Sequence, residues 1–325
     1  MAFIVRAMHV LLLCIFLPAP LAVGADSYPA KSIRLIVPFP PGGPADALAR
    51  IVGEKIGASM GKAIIVDNRP GAGGNIGMEI GAKAPADGYT LVLAPAGNLT
   101  VNPSLYRVVP YDVEKDFAPV TVLASVPNVL VVHPSVPATS VAELVRYAKA
   151  HPGELNFSSP GNGSGAHLAG ELLKSVAAID MTHVPFNGIA PAVTALVGGQ
   201  VQLMFAGAPS VLQHVKAGKL RALGVASLKR IAAAPDLPTL AEAGFPGFDV
   251  TSWYGIIAPA NTPKEVIARL QSEMSKALNE SDVREKLTGL GAEPVGNTPA
   301  EFASMIKSET VKWSKIVREA KITAD

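Results

Sequence analysis

Short β-branched runs recur along this chain with helical patterns between them, and that alternation restricts the possible folds more than any other feature. The runs cover residues 33–37, 64–66, 91–94, 120–123, 129–132, 155–158, 182–185, 201–205 and 222–225. Strands separated by helices imply parallel sheets with covering helices, an α/β fold. Hydroxyl-x-x-Glu spacing at Ser140/Glu143, Thr262/Glu265 and Thr298/Glu301 predicts helix starts with capping boxes at those three places.

Two stretches interrupt the alternation. Residues 118–132 (APVTVLASVPNVLVV) and 248–260 (FDVTSWYGIIAPA) are extended and almost uncharged, and they read as crossings between two lobes. Two crossings make the first lobe discontinuous: residues 26–125 plus 249–325 form lobe 1, and residues 126–248 form lobe 2. The length, 325 residues, agrees with this, since a single core stops growing at roughly 250–300 residues. The expected architecture is two parallel-sheet domains joined by crossing strands, with a ligand cleft between them.

Residues 1–25 have a basic start (Arg6), an apolar run from Val10 to Leu17 and small residues at Ala22, Gly24 and Ala25, the pattern of a secretory signal peptide. Cys14, the only cysteine, lies inside it, so the expected mature chain has neither disulfide nor thiol chemistry. No later stretch reaches the ~20 apolar residues of a membrane helix. Without Arg6 the 28 basic residues become 27 against 26 acidic ones, spread without runs, which argues against nucleic acid or an anionic membrane as partner.

The sequences IRLIVPFPPGGPADALARIVGEKI and LNFSSPGNGSGAHLAGELLKSV echo each other as strand, glycine-rich turn and amphipathic helix, one in each lobe. Leu48, Ile51, Val52 and Ile56 form the apolar stripe of the first helix, and Leu168, Leu172, Leu173 and Val176 that of the second. Glycine lets the backbone approach a ligand, and a helix start presents free amides with partial positive charge. Two such turns facing each other would clamp a carboxylate; taken singly, each is equally an ordinary strand-to-helix turn. Asp46, in the first turn of its helix, either serves the helix dipole or faces the cleft. Trp253 and Tyr254 read as hinge packing.

Other chemistries fit less well. The segment 161–166 (GNGSGA) matches G-x-G-x-x-G/A, but no acid stands at the carboxyl end of the next strand, where Phe186-Asn187-Gly188 lies. No G-x-S-x-G stands at a strand-to-helix elbow, the one such spacing (57–61, GASMG) following the apolar stripe of a helix, and Ser164 with His167 has no evident orienting acid. The histidines are scattered, without H-x-x-x-H spacing, so neither a metal nor any other cofactor is expected.

Together these segments resemble the substrate-binding proteins of tripartite tricarboxylate transporters, also called Bug proteins. The resemblance runs through YPAKSIRLIVPFPPGGPADALAR, IIVDNRPGAGGNIG, KAPADGYTL, LNFSSPGNGSGAHLAGELL, HVPFNGIAPAVTALVGGQVQLMF, KAGKLRALGVAS and PDLPTLAEAGFPGF. It implies a periplasmic-binding-protein fold of type II-like form, with no catalysis. It also implies a monomer that passes a small carboxylate to two integral membrane subunits. Residue by residue it points to Phe39, Pro40, Gly42, Gly43 and Asp46, and to Ala96, Gly97 and Asn98. In the second lobe it points to Ser159, Gly161, Asn162, Gly163, Ser164 and His167, with Phe186, Asn187 and Ala206.

Three departures bear on specificity. Phe186-Asn187-Gly188 stands where relatives often have Tyr-Lys-Gly, Ala206 stands where they often have an acid, and residues 94–98 lack the serines common there. A less polar distal pocket, suited to a monocarboxylate or aromatic carboxylate, is the expectation. The same scaffold also admits a sensor input module for a signalling membrane protein, or an exported enzyme.

Overall fold

The computed structural model describes residues 28–319 and residue 322, so the expected signal peptide, with Cys14, lies outside the described residues. The first half of the chain runs β1 (Ile33–Val37), α1 (Pro44–Met60), β2 (Ile64–Asn68), a 3₁₀ turn (Ala72–Gly74), α2 (Asn75–Ala82), β3 (Thr90–Pro95), α3 (Ala96–Thr100), α4 (Asn102–Leu105), α5 (Val113–Asp116) and β4 (Phe117–Val132). The second half continues with α6 (Val141–Ala150), β5 (Asn156–Ser159), α7 (Gly165–Ala177), β6 (Thr182–Pro185), α8 (Ile189–Val197), β7 (Leu203–Gly207), α9 (Ala208–Lys216) and β8 (Arg221–Val225). It closes with β9 (Thr251–Pro259), α10 (Lys264–Asn279), α11 (Ser281–Gly289), β10 (Glu293–Pro294) and α12 (Pro299–Glu319).

The strands lie in the order β2-β1-β3-β9-β4-β7-β5-β6, with β8 and β10 also on β4. β1 is parallel to β2 and β3, and β5 is parallel to β6 and β7. The long crossing strands are antiparallel to their neighbours, so the expected parallel sheets are mixed ones. Residues 120–123 and 129–132, read as separate strands, belong to the single sixteen-residue β4. Its first part pairs with β9 as far as Pro127↔Thr251, and from Asn128 onward it pairs with β7 and β8.

β1 is apolar throughout because both of its faces are covered. Ile33, Leu35 and Val37 pack with Leu48, Val52 and Ile56 of α1 and with Leu270 and Met274 of α10. Ile36 points the other way, into a cluster with Met78, Val92, Trp253 and Phe302. In the second sheet Leu130, Phe157 and Phe205 pack beneath Leu168 and Leu173 of α7, whereas Val129, Met204 and Ala206 pack beneath α8 and α9. α12 touches both regions, through Phe302 and Ile306 in one cluster and Trp313 and Val317 in the other.

Two local expectations change. Val176 does not complete the buried stripe of α7; it is 50% exposed, and Ala177 takes the inward place. Thr262 does not form a capping box: Pro263 is the N-cap of α10, and the Thr262 hydroxyl turns back to the Pro259 carbonyl at 2.7 Å. Thr298 and Glu301 form the reciprocal box, with the Glu301 amide on Thr298 Oγ1 and the Thr298 amide on Glu301 Oε2. At Ser140 the hydroxyl accepts from the Glu143 amide, but Glu143 reaches back to Thr139 instead.

Candidate functional site

The turns after β1 and β5 both leave the carboxyl ends of parallel strands, the usual ligand side of an α/β sheet. The strand register brings these ends together. Pro95, the last residue of β3, pairs with Tyr254, and Gly207, the last of β7, pairs with Asn128. Residues 125–128 and 251–254 of the crossing pair therefore lie between the two sheets' carboxyl ends.

In the first turn, Gly42 has φ +85°, a conformation that side chains disfavour, and Gly43 is the N-cap of α1 in extended conformation. Gly43 has no capping side chain and Pro44 has no amide hydrogen. The Ala45 and Asp46 amides are thus left without an intrahelical acceptor, the first of those bonds being Ala47 N–H to Gly43 O. Phe39 is half-buried and Pro40 exposed at the mouth of this turn.

Asp46 is buried and fully engaged. One oxygen accepts from the Gly42 amide at 3.0 Å and from Arg50 Nε at 3.0 Å; the other accepts from Asn68 Nδ2 at 3.1 Å and pairs with Arg50 at 2.9 Å. Burial would raise this carboxyl's pKa, but the bonds from Arg50, Gly42 and Asn68 outweigh it and hold the pKa below the usual range. Asn68 also donates to the Phe39 carbonyl at 3.0 Å. Asp46 and Asn68 thus fix the turn's shape from behind, and Arg50 is engaged there.

The second turn is held differently. Gly161 (φ +139°) and Gly163 (φ +76°) adopt backbone conformations open to glycine. Ser164 caps α7, accepting from the His167 amide, and its hydroxyl donates to the Gly161 carbonyl at 2.7 Å. His167 Nδ1 accepts the Gly163 amide at 3.1 Å, so its proton is on Nε2. Ser159 Oγ accepts the Gly161 amide at 3.1 Å and lies 2.7 Å from His183 Nε2. Burial pushes His167 down to about 3, aided by His183 and Lys174, and pushes His183 down to about 4, aided by Lys174. Both rings are neutral at ordinary pH. His183 escaped the sequence reading; its place opposite Phe157 in the β5–β6 register was the signal that could have found it.

The remaining residues divide. Gly97, near the start of α3, meets the second turn: a Cβ there would stand 2.5 Å from the Gly163 carbonyl oxygen. A Cβ at Gly163 would stand 2.7 Å from Asn102 Oδ1, and one at Gly165 would collide with Ser252 Oγ. Ala96 and Asn162 are half-buried in this neighbourhood. Asn98 turns inward instead, donating to the Gly73 carbonyl at 2.9 Å, while its own carbonyl accepts from Tyr111 at 2.8 Å. The Phe186 amide bonds Ser159 O and the Gly188 amide bonds Pro160 O, which ties the turn after β6 to that after β5; Asn187 is exposed. Ala206 lies apart, 1% exposed, its methyl in the cluster beneath α8 and α9.

Among the described residues no group of three or more His, Cys, Asp or Glu side chains is arranged to hold a metal ion. No helix among them is long and apolar enough to cross a membrane.

The sequence model of the tripartite tricarboxylate transporter family receptor matches residues 48–322. The chain is 41% identical over 300 residues to Protein BugT of Bordetella pertussis, covering 91% of each chain. Of solved structures, Rpa4515 of R. palustris, determined with adipate, has a TM-score of 0.86 at 38% identity, over 91% of this chain and 99% of that one. MatC of Rhodopseudomonas palustris, determined with bound malate, has a TM-score of 0.81 at 35% identity, over 89% of this chain and 100% of that one.

Proposed function

This chain belongs to the receptor family of tripartite tricarboxylate transporters, and on that premise we propose that it captures a small organic carboxylate between the turns after β1 and β5 and passes it to the membrane subunits of such a transporter. Residues 26–125 plus 249–325 and residues 126–248 are the two units that close on the ligand. Residues 1–25 are removed on export to the periplasm, and the receptor works as a monomer. Its task is binding without bond-making.

The observation that carries this reading is a pair of glycine turns whose helices start with amides to spare, across a crossing strand pair, with Arg50 of α1 already bound to Asp46. Backbone amides with partial positive charge hold a carboxylate without the counter-charge of Lys or Arg. The adipate and malate of the two neighbours fit this chemistry. The donors to the carboxylate are the backbone amides of Ala45 and Asp46 at the start of α1 and of Gly165 and Ala166 at the start of α7, which have no intrahelical acceptor. Asp46, Asn98, Ser159 and His167 shape those turns. Ala96 and Phe186 make the far wall apolar, favouring a monocarboxylate or an aromatic acid over a tricarboxylate.

A thermal-shift screen of the mature protein against mono-, di- and tricarboxylates, aromatic acids and amino acids tests this, because a ligand that binds only the folded state raises the melting temperature. A selective rise with a carboxylate is expected. A flat response to every carboxylate would refute the proposal, and mass spectrometry of the exported protein checks the cleavage near residue 25.

A further inference from the structure

We propose that Tyr254 reads the ligand: its phenol hydroxyl donates a hydrogen bond to an oxygen of the carboxylate held between the turns after β1 and β5. The proposal rests on the receptor function put forward above and adds to it a specificity-determining side chain on the floor of the cleft.

Strand alternation sets the direction of this side chain. Trp253 and Ile257 of β9 face the cluster of Met78 and Phe302, and a Cβ at Gly255 would meet the Phe302 ring on that same side. Ile256 and Ala258 face the α1 side, and Tyr254 packs against that cluster, which includes Ala45 and Leu48 at the start of α1. Ser252 shares the face of Tyr254, and its Oγ abuts Gly165, the first residue of α7. Ser252 and Tyr254 stand two residue steps apart along the strand, about 7 Å. Tyr254 also pairs with Pro95, the N-cap of α3. It therefore stands between the starts of α1 and α7, beside that of α3.

Its hydroxyl is chemically unspent. Tyr28 donates to the Gly88 carbonyl at 2.6 Å, and the Tyr111 hydroxyl lies 2.8 Å from Asn98 O and 3.0 Å from Asn75 Oδ1. The Tyr254 hydroxyl makes no hydrogen bond to any described residue, although the side chain is half-buried and burial alone pushes its pKa up to about 12. A half-buried phenol without a protein partner wants an acceptor, and it stays protonated, hence a donor, across the neutral range. A carboxylate arriving from the amide-rich side supplies that acceptor. Hydrogen bonds to charged groups are the strong ones, so the hydroxyl discriminates between ligands that place an oxygen above it and those that do not.

Calorimetric titration of the whole mature protein with adipate, malate and benzoate, compared with Tyr254→Phe, tests the proposal. For the tightest of the three probes the variant is expected to show a Kd about tenfold or more higher. Its ligand-free melting temperature should be unchanged or slightly raised, and the wild type alone should show a tyrosine difference spectrum on binding. Wild type and Tyr254→Phe binding equally would overturn the role of Tyr254 while leaving the receptor function standing. A lowered ligand-free melting temperature with no wild-type difference spectrum would also overturn it, making the residue structural. If none of the three probes binds the wild type, the role given to Tyr254 is overturned for these ligands, whereas the receptor function falls only with a flat response to every carboxylate in the thermal-shift screen.

Discussion

The imidazole rings of His167 and His183 stack 3.9 Å apart at 13° behind the turn after β5, with Phe157 beside His183 at 4.9 Å. One ring fixes the Gly163 amide and the other contacts Ser159, so the pair sets the turn's backbone from beneath.

Because both rings have folded-state pKa values far below that of a free histidine, the unfolded chain binds more protons between about pH 4 and pH 6.5. Stability contributed by the neutral pair is present above pH 6.5 and is lost as the pH falls towards 4. Urea unfolding should show a loss on the order of 2 kcal/mol per histidine between pH 6.5 and 4.5. The double variant His167→Gln, His183→Gln should flatten that slope; an equal slope would place the acid sensitivity elsewhere.

Asp46→Ala should destabilise the ligand-free protein by about 2–4 kcal/mol, since it leaves Arg50, the Gly42 amide and Asn68 without their shared acceptor. Asp46→Asn should cost less. If Asp46→Ala left denaturant stability unchanged and altered only ligand affinity, the carboxylate would be a ligand contact and no brace.

The sequence made β4 and β9 legible as long strands because extended, almost uncharged apolar runs are a local signal, and both strands lie where those runs are. It also showed both glycine turns, since strand, glycines and apolar stripe are local signals. It did not show what braces them. Asn68 bonds the Phe39 carbonyl and His183 the Ser159 hydroxyl, and a polar residue that bonds an atom distant in sequence looks on paper like any surface residue. Ala206 was misleading for the opposite reason: both faces of β7 are buried, and the Ala206 methyl lies in the core beneath α8 and α9. Tyr254 was read as packing because strand alternation alone cannot tell a wall from a floor.

The capping boxes give a local check on the same theme. Thr298→Ala and Glu301→Ala should each cost about 1 kcal/mol and be non-additive in a double-mutant cycle, since they share one reciprocal pair. Glu265→Ala should be near neutral, because α10 starts at Pro263 without a box. A cost for Glu265→Ala equal to that for Glu301→Ala would contradict this assignment.

Gly97→Ala should hinder approach of the α3 start to the turn after β5, since its methyl would meet the Gly163 carbonyl. Small-angle scattering should show compaction of the wild type on carboxylate binding and little in the variant. Equal compaction would mean that the α3 start and the second turn do not need to touch.

The most direct measurement is calorimetric titration of Gly43→Val beside the wild type with the carboxylate that most raises the melting temperature. Gly43 has an extended backbone, and the nearest atom to a Cβ there is the Pro40 carbonyl oxygen at 3.9 Å, so the fold accommodates a side chain that a ligand on the α1 amides would meet. Saturable one-site binding by the wild type, with unchanged folding and affinity lowered about a hundredfold in the variant, is the predicted result. Undiminished binding by Gly43→Val would contradict the claim that the carboxylate is held at the start of α1.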